Sequence, residues 1–164
     1  MNSNNLRERY FKGRVYIILS PVILLASCVW FTPNVVAVKL AHAFQLYLSL
    51  LLFFASSYLW TQSKITASIF PLNFAFRLAL IFLLIAVGGG LLTFYLNPAY
   101  GLSLFLVGLL NLLFFGLPDN TKIQSPFWFK ELVRKINIML CICLIVMLAY
   151  WLNPYTEPLN YYLK

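Results

Sequence analysis

The chain has 164 residues, of which 62% are hydrophobic, 18% aromatic and only 10% charged. Soluble domains carry about 25% charged residues, so this chain has too little polar surface to cover a water-soluble globule. A soluble enzyme, a disordered chain and a disulfide-stapled secreted module are therefore disfavoured. Together with a mean hydropathy of +0.85, the composition predicts an integral membrane protein.

Five apolar runs are long enough to be membrane helices. Each matches a hydrocarbon core of about 30 Å at a rise of 1.5 Å per residue. Pro98 lacks a backbone donor and restricts Asn97, so we expect a tight turn between the third and fourth runs. The predicted fold is all-α, an integral membrane bundle of five transmembrane helices. A basic segment, 1–14, precedes a transmembrane domain, 15–152, and a tail, 153–164, follows; the spans are 15–31, 43–60, 78–96, 99–117 and 136–152.

The charged residues predict an orientation. The chain has 12 Lys and Arg residues against 4 Asp and Glu, a net charge of +8. With five spans, only Lys39 and Lys164 fall on the side opposite the N-terminus. Basic residues collect in cytoplasmic loops, which predicts a cytoplasmic N-terminus and an outer C-terminus, and gives no reason to expect a nucleic-acid partner. The basic residues on the N-terminal side are Arg7, Arg9, Lys12, Arg14, Lys64, Arg77, Lys122, Lys130, Arg134 and Lys135.

The N-terminal segment bears on location. The first apolar run is longer than a signal-peptide core, and no small-residue cleavage site follows it, so we expect it to remain as a helix. The residues before it lack the long Arg- and Ser-rich stretch of a mitochondrial transit peptide. These features favour a bacterial inner (cytoplasmic) membrane, with the mitochondrial inner membrane as the alternative.

Four polar residues of the second span share one helical face. His42, Gln45, Ser49 and Ser56 follow one another at offsets of 3, 7 and 14 from the first, which places them on one side of a helix. Such a stripe is typical of packing between membrane helices; the alternative is a polar path for a proton, a quinone or a small solute. His42 is the only histidine, so neither bis-histidine haem ligation nor a multi-histidine metal site is possible in one copy. We expect no cofactor and no metal.

Small residues mark the third and fourth spans. Gly88, Gly89 and Gly90 lie in the middle of the third span and permit close helix packing; a hinge, or a broken helix lining a small site, is the alternative. In the fourth span, Gly101, Gly108 and Asn111 follow one another at spacings of 7 and 3 residues, which predicts a second helical face of small or polar residues. The weak binding candidates on these faces are His42, Gln45, Ser49, Ser56, Gly101, Gly108 and Asn111.

The segment before the fifth span is predicted to anchor the chain at the membrane surface. Ser125 suits a helix cap and Pro126 a first helical turn, so a helix is expected to run from Pro126 into the fifth span. Glu131 and Lys135 are spaced for an ion pair. The residues expected at lipid headgroups, or alternatively at a docking partner, are Arg77, Trp128, Lys130, Arg134 and Lys135.

No catalytic constellation is apparent in the sequence. The four acidic residues, Glu8, Asp119, Glu131 and Glu157, lie outside the predicted spans. No Ser/His/Asp or Cys/His set can be placed at membrane depth, and a proton-driven transporter usually keeps an embedded acid. We therefore predict no catalytic residues and no enzyme.

Several short motifs resemble one family. Tyr47, Phe54 and Trp60 keep the register of the second span in the small five-span family typified by transmembrane protein 69, a family of unknown function. That family has a Gly–Gly pair and a basic residue before the Trp, and a glycine after it. The resemblance implies five spans and an inner-membrane location and supplies no reaction. The chain departs from the pattern at Ser56, Ser57, Leu59 and Thr61, and continues it at Pro71, Asp119, Pro126, Trp128, Phe129, Leu132 and Arg134.

These features favour a non-enzymatic polytopic inner-membrane protein, an accessory subunit or assembly factor that packs against a larger membrane complex. The expected partners are the lipid bilayer and that complex, with the polar and glycine-rich faces as contact surfaces. The alternative is a small transporter or a lipid- or quinone-binding protein, with His42, Gln45, Ser49 and Asn111 lining a cavity.

Overall fold

A computed structural model describes residues 3–66, 74–115 and 127–153. Within these ranges the chain is helical and contains no strand, which confirms the predicted all-α class. The elements are α1 (Ser3–Cys28), a short 3-10 helix (Val29–Phe31), α2 (Asn34–Thr66), α3 (Phe74–Tyr95), α4 (Pro98–Phe115) and α5 (Phe127–Leu152).

Four of the described helices are long and apolar enough to cross a membrane: the qualifying segments are Arg9–Phe31, Asn34–Thr61, Phe76–Tyr95 and Trp128–Leu152. The apolar part of α4, Pro98–Phe114, is shorter. At 1.5 Å per residue it extends about 25 Å. The last residues of the predicted fourth span, and the predicted cap at Ser125 and Pro126, lie outside the described residues.

α1, α2 and α5 begin well before their predicted spans, and of these only the early start of α5, at Phe127, was expected from the sequence. α1 starts at Ser3 and carries the basic segment as helix, and α2 starts at Asn34. The Pro33 carbonyl oxygen accepts backbone hydrogen bonds from Val36 and Ala37, each at 2.9 Å, which begins α2 directly after the 3-10 helix. Apolar length thus located these helices, while hydrogen bonding at their ends sets their limits.

The predicted break between α3 and α4 is confirmed. The side-chain oxygen of Asn97 accepts a hydrogen bond from the Ala99 amide at 2.9 Å, and its carbonyl oxygen accepts one from the Tyr100 amide at 3.0 Å. Asn97 therefore caps α4, with Pro98 at the first helical position, where its missing donor costs nothing. We call the end of the bundle that contains this turn the turn end.

The five helices pack in chain order, and α1 packs against α5, which closes the bundle. In the ranges that the structure describes, an apolar core runs along the interior of the bundle. Its largest fully buried side chains include Val22, Phe44, Leu48, Leu102, Phe105, Leu144 and Met147.

Glycines permit the close approach of α3 and α4. A Cβ atom on Gly101 would lie 2.6 Å from the Gly89 carbonyl oxygen and against the Thr93 hydroxyl, and one on Gly89 would lie 2.5 Å from the Phe105 ring. Gly90, in contrast, would meet only the Ser49 hydroxyl, at 3.9 Å. Because α3 continues as a helix through its three glycines, this geometry favours the packing interpretation over a broken helix.

The glycines provide a matched stability test. We expect Gly101→Ala to lower the free energy of unfolding by about 1–3 kcal/mol, because the added methyl group overlaps the α3 backbone. Gly90→Ala should leave stability unchanged or raise it by up to about 1 kcal/mol through helix propensity. Thermal unfolding of both variants in one detergent measures the difference, and equal melting temperatures would contradict the α3–α4 contact.

Candidate functional site

A groove of about 660 Å³ lies between α2 and α3 toward the turn end. It exists because α3 presents Ala86 and Gly90 there, which are too small to fill the space opposite α2. Thr93 continues the same face of α3. The structure brings His42, Gln45 and Ser49 together along the α2 side of this groove.

Gln45 connects α2 to the start of α4. Its side chain is only 2% exposed, and its Nε2 donates a hydrogen bond to the Pro98 carbonyl oxygen at 2.8 Å. Its Oε1 is buried without a hydrogen-bond partner among the described residues, and so is the Oγ of Ser49. Two residues that line the groove therefore each carry a buried polar atom, an acceptor on Gln45 and a hydroxyl on Ser49, that the described part of the chain leaves unsatisfied.

Thr93 and His42, two further polar residues of the groove, make hydrogen bonds within their own helices. The Thr93 hydroxyl donates to the Gly89 carbonyl oxygen at 2.8 Å. The Nδ1 of His42 donates to the Val38 carbonyl oxygen at 2.7 Å, and the His42 ring meets Trp151 edge to face at 6.5 Å between centroids. Among the lining residues that the structure describes, Gln45 and Ser49 are consequently the ones with a buried polar atom that has no hydrogen-bond partner.

Ser56 lies apart from the other members of its stripe. It is buried, and its hydroxyl donates to the Ala79 carbonyl oxygen of α3 at 2.8 Å. The polar stripe of α2 thus has two uses in the fold: Ser56 joins α2 to α3, whereas the other three residues line the groove. Gln45 serves both purposes, because it also joins α2 to α4.

The structure separates the predicted candidates of α4. Gly101 lies against α3, and a Cβ atom on Gly108 would meet the Ile85 side chain of α3 at 2.5 Å. Asn111 is exposed, and its amide donates to the Val107 carbonyl oxygen of its own helix at 2.8 Å. The glycines therefore belong to the interior of the bundle, and Asn111 belongs to its outer surface.

The predicted anchoring residues lie at the end opposite the turn. Trp128 packs edge to face with Phe11 at 5.8 Å, and the Nζ of Lys12 lies 5.9 Å from a Trp128 ring centroid. Lys135 and Glu131 form the predicted ion pair at 2.7 Å. Arg77 and Arg134 are exposed, whereas Lys130 is half-buried.

Sequence reasoning missed two hydrogen bonds between helices. Asn137 is buried, and its Nδ2 donates to the Leu109 carbonyl oxygen at 3.0 Å, joining α5 to α4. The Tyr47 hydroxyl donates to the Ile18 carbonyl oxygen at 2.6 Å, joining α2 to α1. The sequence could have indicated Asn137, since it is an amide inside an apolar run. The partner of Tyr47 is visible only in the packed bundle.

Comparison of the chain with family models, with curated proteins and with solved structures finds no match. In the described ranges, no three His, Cys, Asp or Glu side chains are grouped so that they could hold a metal ion. The groove and the outer surface of the bundle are therefore the two features of the structure from which a function can be inferred.

Adjacent serines test the contact between α2 and α3. Ser56→Ala removes a hydrogen bond between helices, which in membrane proteins contributes about 0.6 kcal/mol on average and up to about 1.7. Ser57→Ala is the control, because the exposed Ser57 hydroxyl donates only to the Phe53 carbonyl oxygen of its own helix. We expect a lower melting temperature for Ser56→Ala alone, and an equal loss in both variants would contradict this arrangement.

Proposed function

We propose that this chain is a non-enzymatic polytopic membrane protein that packs, as an accessory subunit or assembly factor, against a larger membrane complex. The observation that carries this proposal is Asn111, an exposed amide on the outer face of α4. The rest of that face combines apolar and aromatic side chains with one serine. Its exposed members are Tyr100, Ser103, Val107 and Phe114.

The position of Asn111 is costly unless another molecule covers it. It lies about 20 Å along α4 from Pro98, which is within the hydrocarbon if α4 crosses the bilayer. Its amide nitrogen donates to Val107, but no described residue donates to its side-chain oxygen. Polar groups in hydrocarbon are expensive and commonly face other helices. A partner helix that carries a hydrogen-bond donor would satisfy this oxygen.

The contact surface is narrower than the sequence suggested. The α3–α4 interface includes Gly89, Gly101 and Gly108. These glycines therefore do not offer a free surface to another protein. The proposed docking surface is the outer face of α4, centred on Val107 and Asn111.

We also propose that α4 crosses the membrane as a fifth span, with the N-terminus in the cytoplasm and the C-terminus outside. The proposed location is the bacterial inner membrane, with the mitochondrial inner membrane as the alternative. α1 and α5 run parallel, since Phe11 meets Trp128 at one end and Trp30 meets Tyr150 at the other. Alternating crossings by α2, α3 and α4 between them account for this. The positive-inside rule then places the basic end in the cytoplasm. The resemblance to the family typified by transmembrane protein 69 implies the same count.

Photocrosslinking in native membranes tests the docking surface. We place p-benzoylphenylalanine at Val107 on α4 and, as the control, at Leu24 on α1; these side chains are 55% and 61% exposed. We expect one defined protein adduct from position 107 and none from position 24, because only the first lies beside Asn111. Adding Asn111→Leu should reduce the adduct several-fold without lowering the amount of chain in the membrane.

An adduct with a second copy of this chain would replace the larger complex by a homo-oligomer. Equal adducts from both positions, or protein adducts from neither, would contradict the proposal.

Reporter fusions in a bacterial host test the orientation. An odd number of spans places the termini on opposite sides of the membrane. We expect fluorescence from green fluorescent protein fused to the N-terminus, and phosphatase activity from alkaline phosphatase fused to the C-terminus. If green fluorescent protein is fluorescent when fused to the N-terminus and also when fused to the C-terminus, and the C-terminal phosphatase is inactive, the number of spans is even and the proposed orientation is wrong.

A further inference from the structure

We propose that the groove between α2 and α3 binds a neutral, hydroxyl-bearing amphiphile that enters laterally from the bilayer. The hydroxyl group donates a hydrogen bond to the Oε1 of Gln45 and pairs with the hydroxyl of Ser49, and the apolar part lies along the outer wall of the groove. The site is distinct from the outer face of α4, so the proposal stands independently of the proposed function.

The unsatisfied atoms define the polar end of the ligand. Gln45 is 2% exposed, and its Oε1 has no partner among the described residues. A buried polar atom without a hydrogen bond is strongly unfavourable, especially where hydrocarbon replaces water. Because Oε1 can only accept, the ligand must donate; the nearby Ser49 hydroxyl can either donate or accept. A hydroxyl group meets both requirements, whereas a carbonyl or an ether cannot satisfy Gln45.

The charge of the lining defines the ligand further. Among the described lining residues there is no Asp, Glu, Lys or Arg. A phosphate or an ammonium group in this position would lose its hydration without gaining a counter-charge, which is very costly. The groove therefore favours a neutral polar end over a charged lipid headgroup.

The apolar wall indicates the source of the ligand. Leu46, Phe53, Val87, Leu91 and Phe94 line the groove and are between 47% and 77% exposed. Exposed apolar side chains on a membrane helix face lipid, so the groove opens sideways into the bilayer. Its volume falls in the range of about 300–1,000 Å³ typical of small-molecule sites. Aromatic diols with an alkyl chain and long-chain alcohols both have the required chemistry.

The first experiment measures equilibrium binding to the full chain in nanodiscs of phosphatidylcholine, a lipid without a hydroxyl donor. The probe is decylhydroquinone, kept reduced, and its matched control is the dimethyl ether of the same compound. We expect saturable binding of the diol and binding about tenfold weaker for the ether, because one hydrogen bond to a buried acceptor is lost. A second arm with farnesol and its methyl ether distinguishes a ring diol from a long-chain alcohol.

Gly90 supplies the steric variant. A Cβ atom there meets only the Ser49 hydroxyl, at 3.9 Å, so Gly90→Ala should fold and bind. Gly90→Leu extends a side chain into the groove and should abolish saturable binding of the diol. A melting temperature close to that of Gly90→Ala would show that the fold is retained.

Gln45→Met supplies the chemical variant. It removes the buried acceptor while keeping a similar length, so the diol should lose its advantage over the ether. Ser57→Ala, which lies outside the groove, is the control and should bind as the unmodified chain does. If Gln45→Met does not fold, Ser49→Ala and Gly90→Leu still test the site.

Three results would overturn the proposal. The first is equal binding of the diol and the ether by the unmodified chain in both arms, which would indicate partition into the lipid alone. The second is undiminished diol binding in folded Gly90→Leu. The third is no saturable binding of either hydroxyl probe.

Discussion

Hydrogen bonds between helices stabilise polar side chains that would otherwise be left unsatisfied in a membrane bundle. In this chain the partners are backbone carbonyl oxygens of neighbouring helices. Tyr47 bonds to α1, Ser56 to α3 and Gln45 to α4, while Asn137 joins α5 to α4. These bonds come from residues that would be costly at a lipid-facing position, so they favour one rotation of each helix over the others.

The α3–α4 contact positions the groove. Glycines allow the two backbones to approach at Gly89 and Gly101, and Asn97 turns the chain tightly between the two helices. The first turn of α4 is thereby placed where Gln45 of α2 reaches the Pro98 carbonyl oxygen. Gln45 also lines the groove, and with its nitrogen held by Pro98 its oxygen is buried without a partner among the described residues. The packing of two glycines thus leads, through one hydrogen bond, to a buried acceptor that the described residues leave without a partner.

The sequence predicted those features that depend on local chemistry. Composition indicated helices, proline marked the α3–α4 turn, and helical spacing placed His42, Gln45 and Ser49 on one face. The groove itself could not be predicted, since it depends on Ala86 and Gly90 lying opposite that face. The grouping of Asn111 with the α4 glycines was too coarse: at about 100° per residue, a spacing of 3 turns Asn111 by about 60° from Gly108, enough to face outward.

We infer that the polar atoms left unsatisfied in this chain, both inside the bundle at Gln45 and Ser49 and on its outer surface at Asn111, mark contacts with other molecules. Native mass spectrometry of the chain, extracted from its own membrane in mild detergent, tests this claim most directly. We expect a protein partner at a fixed ratio and an added mass from a neutral, hydroxyl-bearing amphiphile. A lone chain that carries neither partner nor small molecule would contradict this claim.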